Sequence, residues 1–304
     1  MVDLSVDLGF LKLKNPVLAA SGTFGYGLEF KPFYDLNLLG GFVVKGLYYN
    51  PREGNRPPRL VETPSGLINS IGLQGVGAEK FCREVLPELA KLETVVIANV
   101  CGAEEDEYVR VAEYLSQHKG LAALELNISC PNVREGGRCP AQNPEATYRT
   151  VKKVRQATSL PLITKLSPNV TDIVSVALAA EEAGSQAISL INTLLAMAID
   201  LETRKPKLGN VMGGLSGPAI KPIALRMVFQ VARAVKLPVI GMGGIFTAED
   251  ALEFMIAGAR AVQVGTANFV NPDACLRIIQ GLANWAEKHH IEKISEIIGT
   301  VQID

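Results

Sequence analysis

Histidine is scarce in this chain. There are three in 304 residues, His118 in SQHKG and His289 and His290 in EKHHIEK, all among polar neighbours. Any proton-transfer role therefore falls to another side chain. The five cysteines, Cys82, Cys101, Cys130, Cys139 and Cys275, are scattered, odd in number and form no CxxC pair. This argues against a disulfide framework and against a zinc or iron–sulfur site in this chain, so no metal is expected. Long apolar runs are missing too. The longest uncharged stretch, Ala183 to Ile199, is broken by Ser185, Gln186, Ser189, Asn192 and Thr193, which rules it out as a membrane span. The first residues, MVDLSVDLGF, lack the basic-then-apolar pattern of a secretory leader, so a cytoplasmic protein is expected. Nor is there an excess of one charge: 30 basic residues face 31 acidic ones, without a Lys/Arg run that would mark a nucleic-acid surface.

What is present is a large apolar fraction, 48%, in short β-branched runs. Eight of these read as strands: 17–20, 41–44, 95–98, 121–126, 162–164, 187–190, 239–240 and 261–264. Between most of them lie helical periodicities with recognisable starts at Asn143-Pro144, Thr171-Asp172, Gly217-Pro218, Thr247 with Asp250, and Asn271-Pro272. Strand then helix, repeated eight times, predicts an α/β fold, a (β/α)8 TIM barrel. Nearly continuous apolar strands suit a parallel sheet covered on both faces. No linker or composition break appears, so 1–304 reads as one domain. The intervals from Lys45 to Val95 and from Asn192 to Val239 are long and rich in Gly, Pro and Asn, and are expected as loop insertions on the barrel's top face. Residues 1–14 read as a short N-terminal hairpin.

Chemistry in this fold sits at the C-terminal ends of the strands. The residues there are Ser21, Lys45, Asn99, Asn127 with Cys130, Lys165, Asn192 with Thr193, Gly243 with Gly244, and Gly265 with Thr266. They make a polar ring with no carboxylate. Buried lysines and asparagines need partners, which a ligand can supply. The glycines of VIGMGGI and VQVGTA follow strands seven and eight, where this fold commonly binds phosphate; tight turns would need small residues there as well. GMGGIF is not GxGxxG, because Phe246 takes the last place, so no Rossmann NAD site is supported. Lys165, in PLITKLSPN, is placed to stabilise the negative charge of a reduced flavin mononucleotide, or else reaches the rim for solvent. Cys130, in LELNISCPNV, could act as nucleophile or base, or be a small buried hydrophobe. Cys139 reads as incidental, and Cys82, Cys101 and Cys275 as core.

The segments NISCPNV, ETPSGLINSIGLQ, VVKGLYYNPREGN, LITKLSPNV and INT, with the GMGG and VGTA endings, resemble class 1 dihydroorotate dehydrogenases from about Val6 to Ile279. ETPSG and IGLQ resemble the class 1B catalytic subunit. GLQGVG departs from the Asn-Pro-Gly segment of many class 1B chains, and Cys139 is unusual for them. The resemblance implies oxidation of (S)-dihydroorotate to orotate, with FMN on this chain accepting hydride. It implies a partner subunit carrying FAD and a two-iron two-sulfur cluster that reduces NAD, in a heterotetramer of two catalytic and two electron-transfer chains. It implies that Cys130 is the base, on a loop from Pro131 to Gln142 that closes over substrate, and that Lys45 touches both FMN and orotate. Asn69, Ser70, Ile71, Gly72, Leu73, Asn127, Asn192 and Thr193 would hold substrate. Ser21, Gly46, Asn99, Asn127, Lys165, Ile191, Gly217, Gly243, Gly244, Gly265 and Thr266 would line FMN.

The sequence leaves other readings open. One is a class 1A enzyme reducing fumarate; another is a dihydropyrimidine dehydrogenase-like chain. A dihydrouridine synthase would need a basic RNA-binding surface, which the balanced charge does not provide. From a different class, the chain could be a non-catalytic flavin- or phosphate-binding module.

Overall fold

The computed structural model describes residues 2–129 and 143–303. Two short strands, β1 (Val6–Asp7) and β2 (Lys12–Leu13), pair antiparallel as the expected hairpin. Arg260, one residue before the last barrel strand, donates to the Asp7 carbonyl oxygen, which places the hairpin at the N-terminal end of the barrel. Eight strands close that barrel: β3 (Val17–Ala19), β4 (Gly41–Val43), β7 (Val95–Val100), β8 (Ala123–Asn127), β9 (Leu162–Lys165), β10 (Ala187–Leu190), β15 (Val239–Met242) and β16 (Ala261–Val264). All eight neighbouring pairs are parallel. Every barrel-strand residue except Val95 is buried, as expected of a sheet packed inside and out. The eight runs seen in the sequence are these eight strands.

Helices do not follow every strand. Between β3 and β4 the chain makes only two 3-10 turns, Leu28–Phe30 and Leu36–Leu38. Gly22, Gly25 and Gly27 all take positive φ there, and Pro32 follows, so an α-helix cannot propagate. After β4 a broken helical stretch, α1 (Ala78–Lys80), a π turn at Phe81–Val85 and α2 (Leu86–Leu89), covers the sheet. The later connections carry α3 (Glu105–Ser116), α4 (Pro144–Ala157), α5 (Ile173–Glu182), α6 (Lys221–Ala234), α7 (Ala248–Ile256), α8 (Ala267–Val270) and α9 (Ala274–Lys288). Asn143 and Asp172 cap α4 and α5 through their side chains, and Thr247 and Asp250 form a reciprocal capping box on α7. Two starts shift: Pro218 opens a 3-10 turn ahead of α6, and α9 begins after Asp273, two residues past the expected Asn271.

The two long insertions are not loops. They contribute β5 (Leu60–Thr63), β6 (Gly66–Asn69), β11 (Leu194–Met197) and β14 (Met212–Ser216) to one antiparallel sheet in the order β11-β14-β6-β5, beside a small ribbon of β12 (Ile199–Asp200) and β13 (Lys205–Pro206). Gly213 and Gly214, which read as loop residues, are small because their neighbours press close: a Cβ on Gly213 would stand 2.5 Å from the Asn69 carbonyl oxygen. This sheet joins two distant parts of the chain above the barrel mouth.

Candidate active site

A cavity of about 1140 Å³ opens at the C-terminal end of the barrel, beneath the inserted sheet. Single-ligand pockets run to roughly 300–1,000 Å³, so this one has room for more than one small molecule. Its walls include Ser21, Lys45, Gly46, Asn69, Ser70, Ile71, Gly72, Leu73, Asn99, Asn127, Lys165, Ile191, Asn192, Thr193, Gly217, Gly243, Gly244, Gly265 and Thr266. Every expected site residue within the described range thus meets in one space. Cys130, Cys139 and the segment from Pro131 to Gln142 lie outside the described residues.

The barrel strands supply the cavity's floor. Asn99 is fully buried and pairs in register with Glu125 on the next strand, while Asn127 sits level with Lys165. Glu125 itself corrects the expectation of a site without carboxylates. It is fully buried inside the barrel and accepts from Asn99 Nδ2 at 2.8 Å, Ser189 Oγ at 2.9 Å and Gln263 Nε2 at 2.6 Å, with Lys165 Nζ at 3.5 Å. Three hydrogen-bond donors and a neighbouring ammonium on one buried carboxylate provide the pairing that burying its charge requires. The signal was in LELN: inside a barrel strand, alternate residues face inward, and Glu125 shares the inward face with Asn127. Gln263, also missed, lies on the cavity wall with its Oε1 buried and without a hydrogen-bond partner.

Amides rise from this floor in a chain. Asn127 Nδ2 donates to Asn99 Oδ1 at 3.2 Å, Asn192 Nδ2 donates to Asn127 Oδ1 at 3.3 Å, and the Thr193 N–H donates to Asn192 Oδ1 at 2.8 Å. Ser129 Oγ also donates to Asn127 Oδ1 at 2.8 Å. Cys101, buried at the end of β7, puts its Sγ 3.4 Å from Asn99 Oδ1. Burial pushes the thiol of Cys275 up to about 12 and that of Cys82 up to about 11, which keeps both as unreactive core thiols.

The neighbouring wall, at the end of β4, differs. Lys45 follows β4 and is half-buried; burial is the main cause holding its ammonium below the ordinary lysine value, with Arg59 adding to the effect and Glu29 opposing it. The loop after β6 bends at Gly72 and Leu73, with φ of 72° and 54°. A positive φ at a leucine is strained backbone, and it sits in the segment expected to grip substrate.

At the third side, Gly243 and Gly244 take φ of 123° and 79°, and a Cβ on Gly243 would meet the Ala224 methyl at 2.8 Å. The neighbouring start of α7 is already occupied: the N–H groups of Phe246 and Thr247 donate to Asp250, which also holds Lys221. What faces the cavity there is the glycine backbone rather than the helix end. Beside it, at the end of the adjoining strand β16, Thr266 Oγ1 donates to Ser216 Oγ at 2.7 Å, and a Cβ on Gly265 would touch nothing nearer than 3.7 Å. Close backbone on one side and open space on the other form a cradle suited to a phosphate group. Among the described residues no group of three or more metal-binding side chains occurs, and no helix is long and apolar enough to cross a membrane.

A family model described as dihydroorotate dehydrogenase matches residues 3–285. The chain is 54% identical over 300 residues to the "Dihydroorotate dehydrogenase B (NAD(+)), catalytic subunit" of Pelobacter propionicus, covering 99% of each chain. It is 56% identical to the protein of that name in Trichlorobacter lovleyi, covering 98% of each, and 50% identical to that of Bacteroides thetaiotaomicron over the full length of both. Among solved structures, a crystal structure of a DHODH from Eimeria tenella in complex with ferulenol superposes with a TM-score of 0.82 at 21% identity, covering 98% of this chain and 88% of the other. At that identity the likeness concerns the fold.

Proposed function

Because this chain belongs to the dihydroorotate dehydrogenase family, we propose that it oxidises (S)-dihydroorotate to orotate in pyrimidine synthesis, as the catalytic subunit of an NAD-linked, cytoplasmic enzyme. The observation that carries this reading is the convergence of Lys45, Asn69, Asn99, Asn127, Lys165 and Asn192 on one cavity with a glycine-walled end. The residues fit FMN: a buried lysine, an unpartnered buried acceptor on Gln263, and backbone at Gly243 and Gly244 that side chains could not occupy.

FMN, when bound, supplies a two-electron acceptor for the hydride leaving C6 of the substrate. Ser21, Gly46, Asn99, Lys165, Ile191 and Gly217 would line it, and Gly243, Gly244, Gly265 and Thr266 would hold its phosphate. Lys45, which lines the cavity, would reach both ligands and set its charge against the substrate carboxylate. Asn69, Asn127, Asn192 and Thr193 match the alternating N–H and C=O groups of the pyrimidine edge, with the backbone of Ser70, Ile71, Gly72 and Leu73 closing around it. Cys130 takes the C5 proton; this role rests on the sequence match around NISCPNV. Electrons leave to a partner subunit with FAD and a two-iron two-sulfur cluster, in a heterotetramer of two chains of each kind, the whole of 1–304 acting as one FMN-binding barrel domain.

The test is the purified chain with its flavin, mixed anaerobically with dihydroorotate, alone and with the electron-transfer subunit. The flavin should bleach rapidly, NAD reduction should require the partner, and Cys130→Ser should keep FMN while slowing bleaching at pH 7 by about 10²–10⁴, the usual contribution of a positioned base. Rapid turnover with fumarate by the chain alone would overturn the NAD-linked reading, and unaltered bleaching in Cys130→Ser would remove that residue as the base.

A further inference from the structure

Glu125 lies under the cavity, and its partners come from four other barrel strands: Asn99 on β7, Lys165 on β9, Ser189 on β10 and Gln263 on β16. Above it the hydrogen bonds run in one direction. Asn99 gives its amino group to Glu125 and accepts from Asn127; Asn127 in turn accepts from Asn192, and Asn192 accepts from the Thr193 N–H.

A side-chain amide can turn end for end with almost no change of shape, so an isolated asparagine does not choose which end is donor and which acceptor. An ionised carboxylate only accepts. It therefore compels the amino group of Asn99 to face it, and Asn127 follows; Asn192 is pinned from the other end by the Thr193 N–H, which can only donate. Gln263 obeys the same constraint: its amino group is held on Glu125 at 2.6 Å, so its carbonyl oxygen is the end left for the cavity. At the top of the chain Asn192 spends its amino hydrogens on Asn127 and Ser129, and keeps one lone pair on Oδ1 beside the bond from Thr193.

We infer that Glu125 is the positioning residue that sets, from the floor, the hydrogen-bond polarity that the Thr193 N–H pins at the top of the chain, fixing Asn99 and Asn127 between them and Gln263 as an acceptor toward the bound ligands, and holding Lys165 in place as the cation beneath the flavin. It touches neither ligand; it acts through the residues that do. The inference rests on the flavin and orotate reading of the cavity.

Glu125→Gln replaces the acceptor-only end of the chain with a group that can also donate, so the direction of Asn99 and Gln263 is no longer compelled. In the FMN-loaded variant, orotate binding, read from the flavin difference spectrum, should weaken about tenfold, the equivalent of one mis-set hydrogen bond. The flavin midpoint potential should become more positive, because a negative charge is removed from beneath Lys165 and the reduced flavin. The swap Glu125→Gln with Gln263→Glu returns the carboxylate to the same cluster and should recover most of the orotate affinity. Wild-type affinity and potential in Glu125→Gln, with only stability lowered, would overturn the inference, as would a folded swap no better than the single variant. Neutron diffraction from wild-type crystals decides the matter even if the variants fail to fold. The amino groups of Asn99 and Gln263 should point at Glu125, and a reversal of either would overturn it. That orientation is readable whatever the cavity holds, so a failure of the flavin reading shows separately, as a wild-type protein without FMN.

Discussion

The two lysines of the cavity stand three strands apart around the barrel mouth and are held in opposite ways. Lys165 is 5% exposed at the end of β9, with the Glu125 carboxylate 3.5 Å from its Nζ. Lys45 is half-buried at the end of β4, and the charged groups that act on it, Glu29 and Arg59, pull in opposite directions. One cation is compensated inside the protein and belongs to the fold. The other is left undercompensated, which costs the empty protein something and makes an anionic ligand the better partner. A site that must hold a cofactor through every turnover and a substrate only briefly can use one lysine of each kind.

Removing each lysine should expose this difference most strongly. Lys165→Met leaves Glu125 buried without its cation and should destabilise the protein by about 3–5 kcal/mol in urea unfolding. Lys45→Met should change stability by less than about 1 kcal/mol, as expected where no internal ion pair is lost. Equal costs would break the comparison. Smaller effects should follow from the serines on the two sides. Ser189→Ala removes a donor to the Glu125 carboxylate and should cost about 1.5–3 kcal/mol, whereas Ser21→Ala removes a bond to the neutral Val44 carbonyl and should cost about 0.5–1.5 kcal/mol. The same unfolding curves read both.

How much of this was legible in the sequence follows the same division. Barrel strands announce themselves because both faces are buried, so runs such as LITK and AVQV stay apolar and β-branched nearly throughout. The strand-end lysines and asparagines were legible because the fold dictates where chemistry sits. The inserted sheet was not. Its strands pair across more than a hundred residues, as Asn69 does with Gly214, and MGGLS carries no strand propensity of its own. Glu125 was missed because a single charge between leucines looks like an interruption of a core strand. Only the barrel's inward alternation shows that it faces Asn99, Ser189 and Gln263. The missing first helix was written in its glycines and Pro32, and the regularity of the other units hid it.

The finest test of the comparison is pH. Lys45 titrates below the ordinary lysine value in the folded protein, while in the unfolded chain it keeps that value. Between the two the unfolded chain holds the proton and the folded one does not, so stability should rise with pH across that alkaline window, relative to Lys45→Met. Orotate binding should do the reverse: present in full below the folded value and lost as pH rises through it, because the ligand needs the charged form. Glu29→Gln removes the attraction that opposes burial and should move the loss of orotate binding to lower pH. Arg59→Met removes a repulsion and should move it to higher pH. Binding curves against pH for these variants, with Lys45→Met as the reference that lacks this limb, would show both shifts. Shifts of the same sign, or none, would mean that Lys45 is not the undercompensated cation that the substrate carboxylate completes.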